Sequence, residues 1–459
     1  PYLHHMIQKP FLLVLLIMPL AVYLSGCGPR GEAGAEDPQL SDDSLMTLVQ
    51  YRTFQYFWDG AEPNSGMARE RYHVDGIYSQ NDKNVVASGG SGFGVMAILV
   101  GIERGFITRE QGFKRLEKIV SFLEEAERFH GMYSHWLSGE TGRAKPFSPK
   151  DDGADAVESA YLFQGLLTAR QYLQDGTDDE RFLAARIDHL WREVEWSWFR
   201  KDGENVLDWH WSPNHGWEMD FPVKGYNECL IYYILAASSP THSVSPEVYH
   251  EGWARGGAID TTVVTYGHTL SLKHNGSETY GGPLFWAHYS YLVLDPRELK
   301  DRYADYWMHN TSHTLINRQW CIENPEGYEG YGPGCWGLTA SYTRREDGSV
   351  GYAGHKPGRM DRGVIAPTAA LSSIPYTPEF SLHAMRSFYE VYGDSLFGQF
   401  GFYDAFSPEY DWFPDRYLAI DQGPIVVMIE NYRPGLLWEL FMSSPEVQEG
   451  LDRLGFRFR

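Results

Sequence analysis

FSPKDDGADAVESAYLFQGLL, residues 147–167, passes from a polar loop into a strongly apolar helix through four acids, Asp151, Asp152, Asp155 and Glu158. Acids on a solvated helix face are ordinary. Pressed against Val157, Tyr161, Leu162, Phe163, Leu166 and Leu167 they are not, because burial beside apolar side chains penalises the ionised carboxylate and raises its pKa. That is how a protein makes a general acid. The run is also apolar almost all round, as a helix walled in by neighbours must be. Residues 93–102 and 229–236 share this character. Residues 108–126 do not: Phe113, Leu116, Ile119, Val120 and Leu123 recur at helical spacing, with Glu117, Lys118, Glu124 and Glu125 between them.

Alternation of the two kinds predicts an inner and an outer ring of helices. Helices are expected over 43–58, 91–104, 108–126, 154–172, 178–195, 224–236, 245–252, 283–293, 301–317, 363–371, 378–392 and 425–440. Twelve helices in six hairpins make an all-α fold, the (α/α)6 barrel or six-hairpin toroid. Strand signals are few; residues 201–211 suggest a small β-hairpin with the loop before Gly225. The connections 197–224 and 317–362 are long and dense in aromatics, which favours function over disorder. The run Gly89-Gly90-Ser91-Gly92-Phe93-Gly94 lacks the Lys-Ser/Thr ending of a phosphate loop. It reads as a tight turn into a closely packed inner helix.

The net charge of −22 disfavours nucleic acid, whose binding depends on Lys and Arg neutralising phosphates. With 15 Trp, 30 Tyr and 24 Phe, the chain holds enough rings to line a groove for a neutral stacking ligand as well as to fill a core. At the N-terminus, Lys9 precedes an apolar stretch over 11–24 and then Leu24-Ser25-Gly26-Cys27. This describes a secretory signal of the bacterial lipoprotein kind, with Cys27 lipidated, so residues 1–27 are expected to be the signal and the protein to be exported and lipid-anchored. Fourteen apolar positions fall short of the roughly 20 that span a bilayer. Residues 28–40 are poor in apolar side chains and read as a flexible tether, and 41–459 as one catalytic domain. Cys229, Cys321 and Cys335 remain, too few for a disulfide framework. Cys321 and Cys335 either pair or stay as buried thiols. No zinc-like spacing occurs, no metal or organic cofactor is implied, and a monomer is expected.

Glycosidic cleavage needs two carboxyl groups. Asp152 and Asp155 lie one turn apart at one inner-helix start, and Glu228 lies at another, in Lys224-Gly225-Tyr226-Asn227-Glu228. Against catalysis stand helix capping for the aspartates and a salt bridge to Lys224 for Glu228. Within the cluster, Asp151 is expected to cap, Glu158 to be helix-facing structure, and Asp152 with Asp155 to be the functional pair. Tyr226 and Asn227 would orient the sugar, with Glu218, Asp220, Asp404 and Glu430 as aromatic-flanked acids that bind sugar or support the site. Trp209, Trp211, Trp217, Trp286, Tyr331 and Trp336 are the candidate stacking rings, each also able to serve as packing alone.

SGGSGFGVMAILVGIERGFITREQ (88–111), DDGADAVESAYLFQGLLTAR (151–170), GYNECLIYYILAASSPTH (225–242) and DQGPIVVMIENYRPGLLW (421–438) together resemble the bacterial glucoamylase-like domain. Within that group the chain most resembles the lipoprotein or secreted endo-β-1,2-glucanases. The resemblance runs from about residue 41 to the C-terminus. It implies an (α/α)6 barrel that cuts β-1,2-linked glucan to sophorooligosaccharides with inversion, and it makes Asp152, Asp155 and Glu228 the acids to test. An α-glucan hydrolase, a polysaccharide lyase on a similar toroid and a non-catalytic glycan-binding lipoprotein are the alternatives.

Overall fold

Glycine decides how tightly the inner ring closes. In the structure, a computed structural model that describes residues 40–78 and 82–458, a Cβ on Gly92 would lie 2.0 Å from the Tyr161 carbonyl oxygen, and one on Gly165 would lie 2.1 Å from the Gly92 carbonyl oxygen. Only bare backbone fits this helix crossing.

Among the described residues there are twelve α-helices: α1 (Asp42–Trp58), α2 (Ser88–Glu103), α3 (Arg109–Glu125), α4 (Ala156–Leu173), α5 (Asp178–Arg192), α6 (Leu230–Ser238), α7 (Tyr306–Glu323), α8 (Pro367–Leu371), α9 (Pro378–Leu396), α10 (Ala419–Tyr432), α11 (Leu436–Met442) and α12 (Pro445–Leu454). Helix α2 packs between α10 and α4, and α4 in turn against α6. In α4, 17 of its 18 residues are buried, so it has no wet face. The outer helices keep one: α3 buries only Gly112, Leu116, Ile119, Val120 and Leu123, and both α3 and α5 open with capping boxes, Thr108/Gln111 and Thr177/Glu180. The architecture is the (α/α)6 barrel, and no helix among the described residues is long and apolar enough to cross a membrane. The proposed signal, Cys27 and tether at 28–39 lie outside the described residues.

Several expectations change. Residues 283–293 form two 3-10 turns, Leu284–Ala287 and Ser290–Leu292, and residues 248–253 a π-helical turn. Residues 224–229 are an irregular lead-in, and the 425–440 helix is two, α10 and α11. The expected hairpin of 201–211 with the loop before Gly225 forms in part, Trp209 N donating to Phe221 O and Val223 N to Leu207 O around an Asp208–Pro222 bridge, while His210–Trp211 pairs with Ala154–Asp155. Four hairpins among the described residues went unforeseen: Trp136–Ser138 with Ala144–Lys145, Asp260–Thr265 with His268–Leu272, Ala340–Arg344 with Val350–Gly354 and Phe397–Gly398 with Gly401–Phe402. Cys229, Cys321 and Cys335 are all free and buried.

The small sheets serve the inner ring. Val85–Ala87, Ala154–Asp155 and Arg416–Leu418 each run directly into an inner helix, α2, α4 and α10 respectively, and each is paired antiparallel with a segment from elsewhere in the chain. The strand register therefore fixes where each of these helices begins. Asp155 sits opposite His210, and Arg71 opposite Leu418.

Candidate active site

A cavity of about 470 Å³ opens where these helices start. Three acids line it: Glu70, Glu158 at the start of α4 and Glu228 just before α6. Rings form most of the remaining wall, among them Trp136, Phe147, Tyr161, Trp209, Tyr289 and Tyr352. Phe147 and Tyr352, 50% and 58% exposed, stand free enough to meet a ligand face.

Glu228 is half-buried, and burial pushes its carboxyl up to about 7. Only its own backbone N–H opposes the rise, and no cation does. Its backbone is held from both sides: Tyr161 Oη and Ser290 Oγ donate to its carbonyl oxygen. Asn227 Oδ1 accepts from Cys229 N at 3.0 Å, closing the turn that presents it.

Glu158 is also pushed up to about 7, by burial first and by the charges of Asp155 and Glu70; the His135 charge and the Gly89 amide oppose the rise. Gly89 N donates to Glu158 Oε2 at 2.9 Å. This reverses the expectation that Glu158 is only helix-facing structure: it points at the start of α2, into the cavity.

Asp155 is the N-cap of α4 and is fully buried. Its Oδ1 accepts from Glu158 N at 2.9 Å, Val157 N at 3.1 Å and Trp209 Nε1 at 2.9 Å, and its Oδ2 from His135 Nδ1 at 2.9 Å. Burial would raise its pKa, but the His135 bond and the His210 and His135 charges hold it low. An ionised carboxylate that accepts four hydrogen bonds orients other groups. Asp152 lies off the cavity: Ser212 Oγ and Asn214 Nδ2 donate to it, the latter at 2.7 Å, and it secures the 212–214 loop. Capping therefore describes Asp155, not Asp151, whose Oδ1 faces His210 Nδ1 at 3.4 Å. His135, Asp151 and Asp155 bring three potential metal-ligand atoms within 4.8 Å of one another. His135 and Asp155 are hydrogen-bonded to each other, and Asp151 Oδ1 lies 3.4 Å from His210 Nδ1.

Of the expected sugar-binding residues, Trp209 lines this cavity; the others are placed elsewhere. Glu430 is buried in an ion pair with Arg104 at 2.7 Å and accepts from Gln50. Tyr226 is fully buried and donates to Asn310 at 2.9 Å, and Trp286 packs on it. Trp336 is fully buried, and Tyr331 donates to Asp361 at 2.7 Å. Trp211 and Trp217 pack on Trp198. Glu218 and Asp220 reach out to Lys150 and Lys201 at 3.0 and 2.6 Å. Asp404 lies behind the wall, where Tyr342 N donates to it at 2.6 Å. Burial pushes it to about 6, and pushes its neighbour Asp421 well up. Tyr289 Oη, on the cavity side, is 3.5 Å from Asp421 Oδ1.

Sequence reasoning missed Glu70, Arg71, His135, Tyr289 and Tyr352. His135 carried one signal, its place between Tyr133 and Trp136 in a polar-aromatic run.

Residues 220–445 match a family model described as "Putative glucoamylase". A solved endo-β-1,2-glucanase from Chitinophaga pinensis, in complex with sophorotriose and glucose, is 66% identical, with a TM-score of 0.89 over 91% of this chain and 99% of that one. An exo β-1,2-glucooligosaccharide sophorohydrolase of Parabacteroides distasonis is 46% identical over 433 residues, which are 90% of this chain and 58% of that protein's length. An endo-β-1,2-glucanase from Talaromyces funiculosus shares only 10% identity but a TM-score of 0.63, over 91% of each chain, which is a likeness of fold.

Proposed function

The chain belongs to the family of the Chitinophaga pinensis endo-β-1,2-glucanase, and on that premise we propose that it is a glycoside hydrolase that cuts β-1,2-linked glucan within the chain, with inversion, releasing sophorooligosaccharides. The observation that carries this reading is the pair of cavity carboxyls, Glu158 and Glu228, at the starts of adjacent inner helices and both pushed up to about 7. Glu228, with no cation to favour its anion, holds a proton near neutrality and gives it to the leaving oxygen. Glu158, which accepts from the Gly89 amide, takes a proton from water. Asp155 and Trp209 orient them, and Phe147 and Tyr352 offer faces for sugar rings. An endo rather than exo mode is supported by the higher identity to the endo-acting relative and by the match to 99% of its chain, against 58% of the exo-acting protein's length.

A second acceptor has a specific observation in its favour: Asp421, buried beside Asp404, lies 3.5 Å from Tyr289 Oη on the cavity side. Products from β-1,2-glucan, starch and laminarin, followed by chromatography and by NMR of the first anomer formed, test the reading. Cleavage of β-1,2-glucan alone to short oligomers of inverted configuration is expected. No cleavage, or cleavage that survives in Glu228→Gln, refutes it. Loss of turnover in Asp421→Asn but not in Glu158→Gln moves the base to the aspartate pair.

We also propose export and anchoring through a lipid on Cys27, supported by the apolar 11–24 stretch ahead of Leu24-Ser25-Gly26-Cys27, and a monomeric working unit. Fractionation of cells expressing Cys27→Ala tests the anchor: a variant that stays membrane-bound rejects it.

A further inference from the structure

Glu70 and Arg71 line the cavity, yet neither proton transfer described above uses them. Their backbone is fixed where two inner helices begin: Glu70 N donates to Val85 O at 2.9 Å, its carbonyl oxygen accepts from Ala419 N at 3.0 Å, and Arg71 pairs with Leu418. Their side chains are held much less tightly. Arg71 Nη2 stands 3.4 Å from Glu70 Oε1 and Nη1 stands 3.3 Å from Asp82 Oδ2, while the guanidinium rests over the Trp136 ring at 5.4 Å. Elsewhere in the chain arginines close on their acids, Arg104 on Glu430 at 2.7 Å and Arg170 on Asp188 and Glu446 at 2.6 and 2.9 Å. Among the described residues, Arg71 Nε and Trp136 Nε1 are buried with no hydrogen-bond partner, and Glu70 Oε2 accepts no hydrogen bond. An open ion pair with bonding capacity to spare on both members suits a ligand rich in hydroxyls.

We propose that Glu70 and Arg71 are specificity-determining residues that grip a vicinal diol of the glucan, the carboxylate accepting from the two hydroxyls and the guanidinium donating to them. The inference rests on the β-1,2-glucanase reading of this cavity made above. Each glucose inside a β-1,2-chain is joined through its oxygens at carbons 1 and 2 and keeps neighbouring hydroxyls at carbons 3 and 4. A 1,3-chain spends the oxygen at carbon 3 and a 1,4-chain the one at carbon 4, so neither offers this pair along its length. A hydroxyl both donates and accepts, and a carboxylate beside a guanidinium answers both needs at once. A site built to bond such a group rejects a chain that lacks it, because its own charged atoms are then left unpaired. Trp136, packed edge-to-face on Phe147 at 4.8 Å between centroids, backs the guanidinium and places the pair at the end of the cavity where Phe147 offers its face.

The test measures kcat and KM on β-1,2-glucan for the full chain and for Glu70→Gln, Arg71→Met and Arg71→Lys, with a thermal melt of each. Loss of hydrogen bonds to a charged group raises KM about ten- to a hundredfold in Glu70→Gln and Arg71→Met, more than it lowers kcat. Arg71→Lys, which keeps the charge, recovers part of the affinity. Calorimetry in the Glu228→Gln background then compares sophorotriose with its analogue lacking the 3-hydroxyls. The analogue binds the Glu228→Gln protein about tenfold or more weakly than sophorotriose does, and with Glu70→Gln added the two ligands bind alike. Unchanged KM in both Glu70→Gln and Arg71→Met overturns the inference. So does a penalty for the missing hydroxyls that is as large with Glu70→Gln as without it, which makes Glu70 a packing residue; either result leaves the glucanase reading standing. An unaltered chain that leaves β-1,2-glucan uncut rejects that reading, and the inference with it.

Discussion

Replacing Gly89 with alanine tests the site without touching an acid. A Cβ there would lie 2.3 Å from Glu158 Oε2 and 3.0 Å from Tyr161 Cδ2. Gly89 is helical and has no positive φ, so alanine brings no backbone strain. The atom that must yield is the tip of the Glu158 side chain. Yielding breaks the 2.9 Å bond from the Gly89 amide, a hydrogen bond to a charged group worth about 1.5–3 kcal/mol. If that bond serves the transition state, kcat falls about ten- to a hundredfold. Fold stability changes little, because Glu158 has the cavity to move into and alanine is the better helix former by about 1 kcal/mol. The assay pairs reducing-end release from β-1,2-glucan with thermal unfolding, and Gly393→Ala in α9, where a Cβ meets nothing within 4 Å, is the control. Wild-type kcat in Gly89→Ala, or a loss matched by an equal collapse of the melting temperature, refutes the role given to Glu158.

Glu228→Gln should cost about 10²–10⁴ in kcat, the range for a general acid, with KM for the glucan nearly unchanged in steady-state assays. It should also melt higher near pH 7, since a neutral amide has no buried charge to bear. Both Glu158 and Glu228 have folded pKa values raised from 4.5 to about 7. Their contribution to stability is complete below about pH 4.5 and is lost as pH rises through about 7. Melts between pH 4.5 and 7.5 should therefore decline with a slope that Glu228→Gln makes shallower; a slope that the variant leaves unchanged contradicts the shift. Asp152→Asn should lower stability by about 1 kcal/mol while leaving kcat/KM within about threefold, because its partners are Ser212 and Asn214 in a loop away from the cavity. A catalytic loss like that of Glu228→Gln would return Asp152 to the reaction.

The helices were legible where burial is total. Residues 157–167 and 229–236 are apolar all round because neighbours surround α4 and α6, and that pattern sufficed for two rings and a barrel. The small sheets were not legible, since ladders two or three residues long, such as Ala154–Asp155, carry no detectable period. The site divides the same way. Glu228 could be found from its place before an apolar helix. Asp155 could be found as an acid, but its partners His135 and Trp209 come from 20 residues before and 54 after, and they turn it from a proton carrier into an anchor. Glu158 looked structural because helical spacing gives a face and not what the face meets; Gly89, 69 residues earlier, supplies that.

The short strands that enter α2, α4 and α10 separate two kinds of inheritance. Glu158 opens a helix whose register is locked by strand pairing, whereas Phe147 and Tyr352 reach the rim from the connections between helices, Tyr352 on a hairpin of its own. Rim segments can lengthen, shorten or change composition without moving a single acid. A lineage built this way can keep its chemistry fixed while it varies how many sugar units it grips, and relatives that release different products from the same linkage are the divergence such a chassis allows.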